Sequence, residues 1–232
     1  MEGLRSPIRM LLEGLEGIVL LVLAVLTWPL SRLFLTNLGA RPDERERGWP
    51  GDRLLTRTDV RATRAITIRA PAAAVWPWLV QFGLDRGGFH SYELLERLGG
   101  INVRNVERIL PHLQSLEVGQ EITLHPSAPA LHVALLEPNE HLCLRTWKDD
   151  QDLADRDPET VGSFSLYLLA ASGADSCRFV VRTCKQGRRP RARSARLVAT
   201  FLEDPLDLVM ERRMLRTVRR LAEHRGVATP IE

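Results

Sequence analysis

Hydrophobic and polar positions alternate with two different periods along this chain. From Ile66 to Ala70, apolar Ile66, Ile68 and Ala70 interleave with Thr67 and Arg69, the period-2 pattern of a half-buried strand. Pro71 ends that strand and suits the first turn of a helix. Ala72 to Gln81 then places Val75, Trp76, Leu79 and Val80 on one helical face, with Pro77 inside the run shortening or kinking it. Gly83, Gly87 and Gly88 open a turn around Asp85 and Arg86. Ser91 is a candidate N-cap for a second helix through Leu98, with Leu94, Leu95 and Leu98 as its apolar side.

Downstream, the period stays at two. Val118, Gln120, Ile122 and Leu124 alternate with Gly119, Glu121 and Thr123. Leu131, Val133 and Leu135 repeat the pattern, followed by Leu142 and Leu144, by Phe164, Leu166 and Leu168, and by Phe179 and Val181. Turn chemistry separates the runs at Pro126–Pro129, Glu137–Glu140 and Ser172–Asp175. Between strands, Asn102 to Ser115 reads as irregular, with a helical turn expected at Val106 to Leu110. Short strands joined by short turns make an antiparallel meander with one apolar face. The period then returns to that of a helix: Asp204 as N-cap, Pro205 at N1, and Leu206, Val209, Met210, Met214, Val218 and Leu221 as a stripe reaching about His224. Core packing is the main role expected of the stripe, with Met210 and Met214 also suited to a pliable cavity wall.

The run APAAAVWPWLVQFGLDRGGFHSYELLE, followed by ERILPHLQSLEVGQEI, resembles the SRPBCC or START-like superfamily, in the bacterial branch described as polyketide-cyclase-like or lipid-transport-like. The resemblance covers roughly Thr58 to Glu223. It implies an α+β helix-grip fold, in which an antiparallel sheet of about six or seven strands curls around the long C-terminal helix and leaves an apolar cavity. The expected organisation is an N-terminal segment over 1–40, a linker over 41–58, the helix-grip domain over 59–225 and a tail over 226–232.

Ahead of that domain, Gly17 to Ser31 is an uncharged apolar run of 15 residues, extendable from Met10 to Leu35 if Glu13, Glu16 and Arg32 sit near the interfaces. A membrane anchor is the leading reading. A signal peptide lacks its small-x-small site and has acids ahead of the apolar run, and a core helix would not be apolar all round. Arg5 and Arg9 precede the run whereas Arg32, Arg41, Arg45, Arg47 and Arg53 follow it, which places the globular domain in the cytoplasm.

Charge and cysteine content exclude other classes. A formal charge of +3 over 232 residues gives no nucleic-acid signature. Three cysteines without metal or redox spacing, Cys143, Cys177 and Cys184, fit a reducing compartment and burial as small hydrophobes. His112, His125, His132 and His141 lack paired ligand spacing, so no metal is expected. The acidic run from Asp149 to Glu159 lacks the Gly of a calcium loop and reads as a solvated loop. Absence of a P-loop, dinucleotide pattern or nucleophile elbow leaves no cofactor and no catalytic residue expected. Lys185 to Arg196 holds six cations and no acid, and Arg188, Arg189, Arg191 and Arg193 are the expected membrane-surface contacts, or else a basic loop.

The candidate ligand-binding group is Trp76, Gln81, Arg86, His90, Tyr92 and Glu93, with Met210 and Met214. Its polar members converge on an expected apolar pocket, though Arg86 could instead pair with Glu93 or Asp85 in a purely structural turn. Three functions remain open. The first is a membrane-tethered binding protein for a small hydrophobic or lipid-like ligand. The second is a cyclase or aromatase-like enzyme in which His90, Arg86 or Tyr92 assists proton transfer. The third is an interaction module whose cavity is filled by its own side chains.

Overall fold

The computed structural model describes residues 7–127, 129–156, 161–171, 175–186 and 204–225. Six strands form one antiparallel sheet: β1 (Val60–Ile68), β2 (Glu121–Ile122), β3 (Leu131–Glu137), β4 (His141–Arg145), β5 (Gly162–Ala170) and β6 (Cys177–Lys185). They lie in the order β1-β6-β5-β4-β3-β2, so β1 closes onto the end of a meander. Among the described residues six α-helices accompany them: α1 (Pro7–Leu35), α2 (Pro42–Glu46), α3 (Ala72–Val80), α4 (Glu93–Leu98), α5 (Asp150–Asp155) and α6 (Asp204–Arg225). The long α6 lies on the inner face of the sheet. This is the helix-grip α+β fold expected from the sequence.

Alternation decides what each face buries. Ile68 on β1, Leu142 and Leu144 on β4, Leu166 and Leu168 on β5, and Phe179 and Val181 on β6 point inward. There they meet Val75 and Leu79 of α3 and Met214, Leu215, Val218 and Leu221 of α6 in the main core. One strand departs from the expected pattern. A bulge between Val133 and Leu135 shifts the register of β3 on β4, so Leu136 joins the inner core while Leu135 packs on the opposite face. An inserted residue inverts the parity of everything beyond it.

Three other local readings change. The alternation expected from Val118 to Leu124 yields only the two-residue β2, because pairing with β3 stops after Glu121 and Ile122. The turn expected at Val106 to Leu110 is displaced to a 3-10 helix at Pro111–Leu113. In α4 the N-cap is Tyr92 rather than Ser91, whose hydroxyl donates to Glu96 Oε1 instead. That helix buries Glu93, Leu95 and Glu96 and leaves Leu98 exposed. The acidic run starts a helix: Asp149 caps α5 by accepting from the Asp152 N–H at 2.9 Å.

Arg41 to Asp59, expected as a linker, is instead ordered across the outer face of the sheet. Here α2 and a 3-10 helix, Pro50–Leu54, form a strap. Glu44 of the strap accepts from Arg178 Nε at 2.6 Å and Nη2 at 2.9 Å, and Asp52 accepts from Arg182 Nε at 2.7 Å and Nη2 at 3.0 Å. Both arginines point outward from β6 and are buried under the strap. Trp49 stacks at a tilt on Tyr167, ring centroids 4.4 Å apart. Gly51 passes so close beneath Tyr167 that an added Cβ would stand 2.7 Å from its hydroxyl oxygen, and the Gly51 N–H donates to that oxygen at 2.9 Å. A charged, Pro- and Gly-bearing sequence reads as a linker locally. The buried arginines across the sheet turn it into a lid.

Candidate functional site

Between the strap-free face of the sheet and α6 lies a cavity of about 490 Å³. Its apolar wall comes from Phe82 and Phe89 around the α3–α4 connection, Leu124 and Leu131, Phe164 of β5, and Met210 and Met214 of α6. The polar part of the lining is distributed over five elements. Ser91 and Glu96 come from the α4 region, Thr146 and Ser163 from β4 and β5, Thr183 and Lys185 from β6, and Asp207 and Glu211 from α6.

All three carboxylates of the lining are held by defined partners. Glu211 bridges Arg64 of β1 and Thr183 of β6: the Arg64 guanidinium donates to Oε2, and the Thr183 hydroxyl to Oε1 at 3.0 Å. Arg64 is 3 % exposed, so its guanidinium is buried and fixes the carboxylate in the cavity lining. Asp207 meets Lys185 at 3.0 Å in a more exposed pair. Glu96 is buried and accepts from Ser91. The lining is therefore mainly apolar, with carboxylates and hydroxyls interspersed.

Of the eight residues expected to bind ligand, Met210 and Met214 line this cavity. Of the other six, Gln81, Arg86, His90 and Glu93 bond within the segment 80–113, whereas Tyr92 and Trp76 pack elsewhere. Gln81 donates to the Arg108 carbonyl at 3.1 Å and accepts from the Leu110 N–H at 3.1 Å. Arg86 donates to the carbonyls of Val80 at 3.0 Å and Leu113 at 3.4 Å, and burial lowers its pKa. His90 has φ of +56°, a left-handed conformation held by its own N–H donating to Asn105 Oδ1 at 2.6 Å, and its ring meets Trp78 edge-on. Glu93 accepts from the Asn105 N–H at 2.8 Å. Tyr92 lies beneath the Arg213 guanidinium, 5.1 Å from its ring centre, and burial raises its pKa. Trp76 is half-buried at the edge of the main core.

Sequence reading missed Glu96 and Glu211. One signal was available for Glu211: it sits between Met210 and Met214, a charge adjoining the apolar stripe of α6. Glu96 carried none, since its inward aim depends on how α4 docks. Arg188, Arg189, Arg191 and Arg193, the expected membrane contacts, lie outside the described residues. Among the described residues, no three His, Cys, Asp or Glu side chains are placed to share a metal ion.

No protein-family model matches the chain, and no curated protein matches it. Several solved structures are similar over most of its length. A self-sacrificing resistance protein, CalC from Micromonospora echinospora, shows 12 % identity and a TM-score of 0.42, covering 74 % of this chain and 99 % of its own. The ZhuI aromatase/cyclase of a Streptomyces species shows 18 % identity and a TM-score of 0.37, covering 73 % and 96 %. A polyketide-cyclase-like protein from Corynebacterium glutamicum shows 10 % identity and a TM-score of 0.40, covering 75 % and 96 %. Such values are too low to carry residues or activity across, and the helix-grip assignment rests on the strand order and α6 described above.

Proposed function

We propose that this protein holds a small, largely apolar or lipid-like molecule in the cavity between the sheet and α6. One observation carries the reading: the cavity of about 490 Å³, walled by Phe, Leu and Met side chains, with polar groups in its lining. Ligand pockets usually measure about 300–1,000 Å³ and combine an apolar wall with sparse polar groups. That volume also counts against a cavity filled by the protein's own side chains. In this reading α1 ties the protein to a membrane, since Ile8–Trp28 is long and apolar enough to cross one. The arginines after α1 keep the domain, residues 59–225 with its strap, on the cytoplasmic side.

A second reading, cyclase- or aromatase-like catalysis on a chain held in the same cavity, is favoured by the two carboxylate–hydroxyl pairs of the lining, Ser91 with Glu96 and Thr183 with Glu211. His90, Arg86 and Tyr92 are not in that lining, so proton transfer would fall to Glu96 or Glu211.

Native mass spectrometry of the full chain, purified from membranes in mild detergent and then extracted with organic solvent, tests both. A stoichiometric small-molecule mass that disappears in Met210→Trp is the expected result. An empty protein that also fails to take up fluorescent fatty-acid probes would remove the binding reading. Turnover of a bound polyketide-like chain, lost in Glu96→Gln, would favour the enzyme.

A further inference from the structure

The helix α1 does not project from the domain; it lies along α4 and α6. Taking Ile8 as the origin of a 100° helical wheel, Gly14, Gly17, Ala24 and Trp28 all fall on the half of α1 away from Ile8. That half is the docked one. An added Cβ on Gly14 would stand 2.8 Å from Leu94 Cβ, and one on Gly17 would stand 3.0 Å from both Leu95 Cδ1 and Tyr92 Cγ. Ala24 and Trp28 are buried in a cluster with Tyr92, Leu95, Leu208 and Val209. Beyond the helix, the Ala65 N–H of β1 donates to the Leu38 carbonyl at 3.1 Å, which fixes the exit of α1 against the sheet.

The opposite half of α1 is an exposed aliphatic stripe. Ten large aliphatic side chains from Ile8 to Leu30 are between 37 and 86 % exposed. On the wheel they fall within an arc of about 140°, and over 22 rises the stripe is about 33 Å long. Soluble monomers rarely expose an apolar patch of this extent. Along one side runs a polar flank. Arg213 binds Glu13 at 2.6 Å, Arg212 approaches Glu16 at 4.0 Å, and Arg220 and Arg9 share Glu107 at 2.6 and 3.5 Å. Arg212, Arg216 and Arg220 follow one another at four-residue spacing on α6, with Arg216 exposed between them. Five guanidinium groups therefore border the stripe against three carboxylates.

We infer that α1 lies in the plane of a membrane surface, its aliphatic stripe sunk into the acyl-chain boundary and the arginine row of α6 level with the lipid phosphates. The inference rests on the membrane reading above and replaces spanning by lying flat. In the docked position α1 cannot cross a bilayer, because α6 and its arginines would have to enter the hydrocarbon beside it. Leaving the domain would instead expose Tyr92, Leu95, Leu208 and Val209. Interfacial helices combine such an apolar face with a basic border. A second copy of the chain fits the stripe less well than lipid, since it would bring an identical arginine row to the same contact. The arrangement also places the membrane next to the cavity: Met210 packs against the α1 cluster and lines the cavity as well.

The test floats the full chain through a density gradient with vesicles of phosphatidylcholine and phosphatidylglycerol. Three forms are compared: unchanged, Val19→Glu with Leu23→Glu, and Gly14→Cys with Leu94→Cys, the last both oxidised and reduced. Gly14 and Leu94 face each other with Cβ positions 2.8 Å apart, closer than the roughly 3.5–4.5 Å of a disulfide, so the bond locks α1 onto α4 once the two helices part slightly at this point. Expected is flotation of the unchanged protein and of the oxidised, locked protein alike. The Glu pair, which keeps the native circular dichroism because both positions face away from the domain, should lower the vesicle-bound fraction at least tenfold. Flotation of the reduced form alone would mean that α1 leaves the domain to insert, overturning the inference while the membrane reading stands. If no form floats, both fall. A Glu pair that floats like the unchanged protein, or a lipid-free dimer that the Glu pair dissociates, would each overturn it.

Discussion

The two faces of the sheet solve burial in opposite ways. The inner face buries aliphatic and aromatic side chains against α3 and α6 and stops short of complete filling, which leaves the cavity. The outer face buries two arginines, Arg178 and Arg182, and answers each with a carboxylate delivered by the strap. Apolar burial is non-directional and tolerates a gap that a ligand can occupy. A buried charge tolerates no gap, since losing its partner leaves an uncompensated ion in a low-dielectric setting. The sheet is thus held rigidly from outside by charge pairs of fixed geometry and is free to accommodate shape on the inside.

Breaking one charge pair should produce the largest effect. Arg182→Ala leaves the half-buried Asp52 of the strap without its guanidinium, and Arg178→Ala does the same to the buried Glu44; each is expected to cost about 3–5 kcal/mol in urea unfolding. Replacing both partners, as in Arg178→Met with Glu44→Leu, should recover most of that loss. If the single and double changes cost the same, the outer face is packing rather than charge.

The same pairs set a pH dependence. Burial pushes the Glu44 carboxyl up, but the Arg178 guanidinium and the Arg41 N–H more than offset it and hold it below the usual carboxylate range. Burial likewise pushes the Asp52 carboxyl up, and Arg182 with the Trp49 N–H more than offsets it, leaving it below its ordinary value. Both groups are depressed in the folded protein, so their contribution is complete above the unfolded values of about 4 and is lost as pH falls through the lower folded values. Hydrogen exchange over residues 42–54 should accelerate below about pH 4 before β5 and β6 lose protection. Simultaneous loss would show that the strap is not a separate unit.

On the inner face the size of the effect should depend on distance from the cavity. Leu166→Ala, in fully packed core, is expected to cost about 2–5 kcal/mol. Met210→Trp, which grows into space already present, should cost less than about 1.5 kcal/mol while abolishing probe uptake. Comparable destabilisation by the two in thermal melts would mean that the cavity is closed by packing in solution. Smallest of all, Asp149→Ala removes the cap of α5, away from both faces, and should cost about 1 kcal/mol or less, read by the same melts.

Much of this architecture was legible in the chain because it follows from local periodicity. Five strands beyond the short β2, helix α3 and the long α6 each appear where period-2 or period-3.6 patterning puts them, although β1 begins at Val60, earlier than its clearest alternation. The bulge in β3 escaped because a one-residue insertion leaves the composition unchanged and acts only through pairing with β4. The candidate site was legible only in Met210 and Met214. The side chains of Gln81, Arg86 and Glu93 bond to the backbone of residues 80–113, and the His90 N–H donates to the Asn105 side chain.

By itself, then, the sequence determined which segments are strands and helices, that one face of the sheet is apolar, and that α1 is apolar enough for a membrane. Those properties depend on neighbours within a few residues. Tertiary structure alone decided that residues 41–58 cover the outer sheet, that Glu96 and Glu211 reach the cavity, and that α1 lies along α4 and α6. Each of these joins residues far apart in the chain, Glu44 with Arg178 and Glu13 with Arg213 among them. A charged side chain reads as exposed until the fold brings it an opposite charge, and no local pattern encodes where that partner will be.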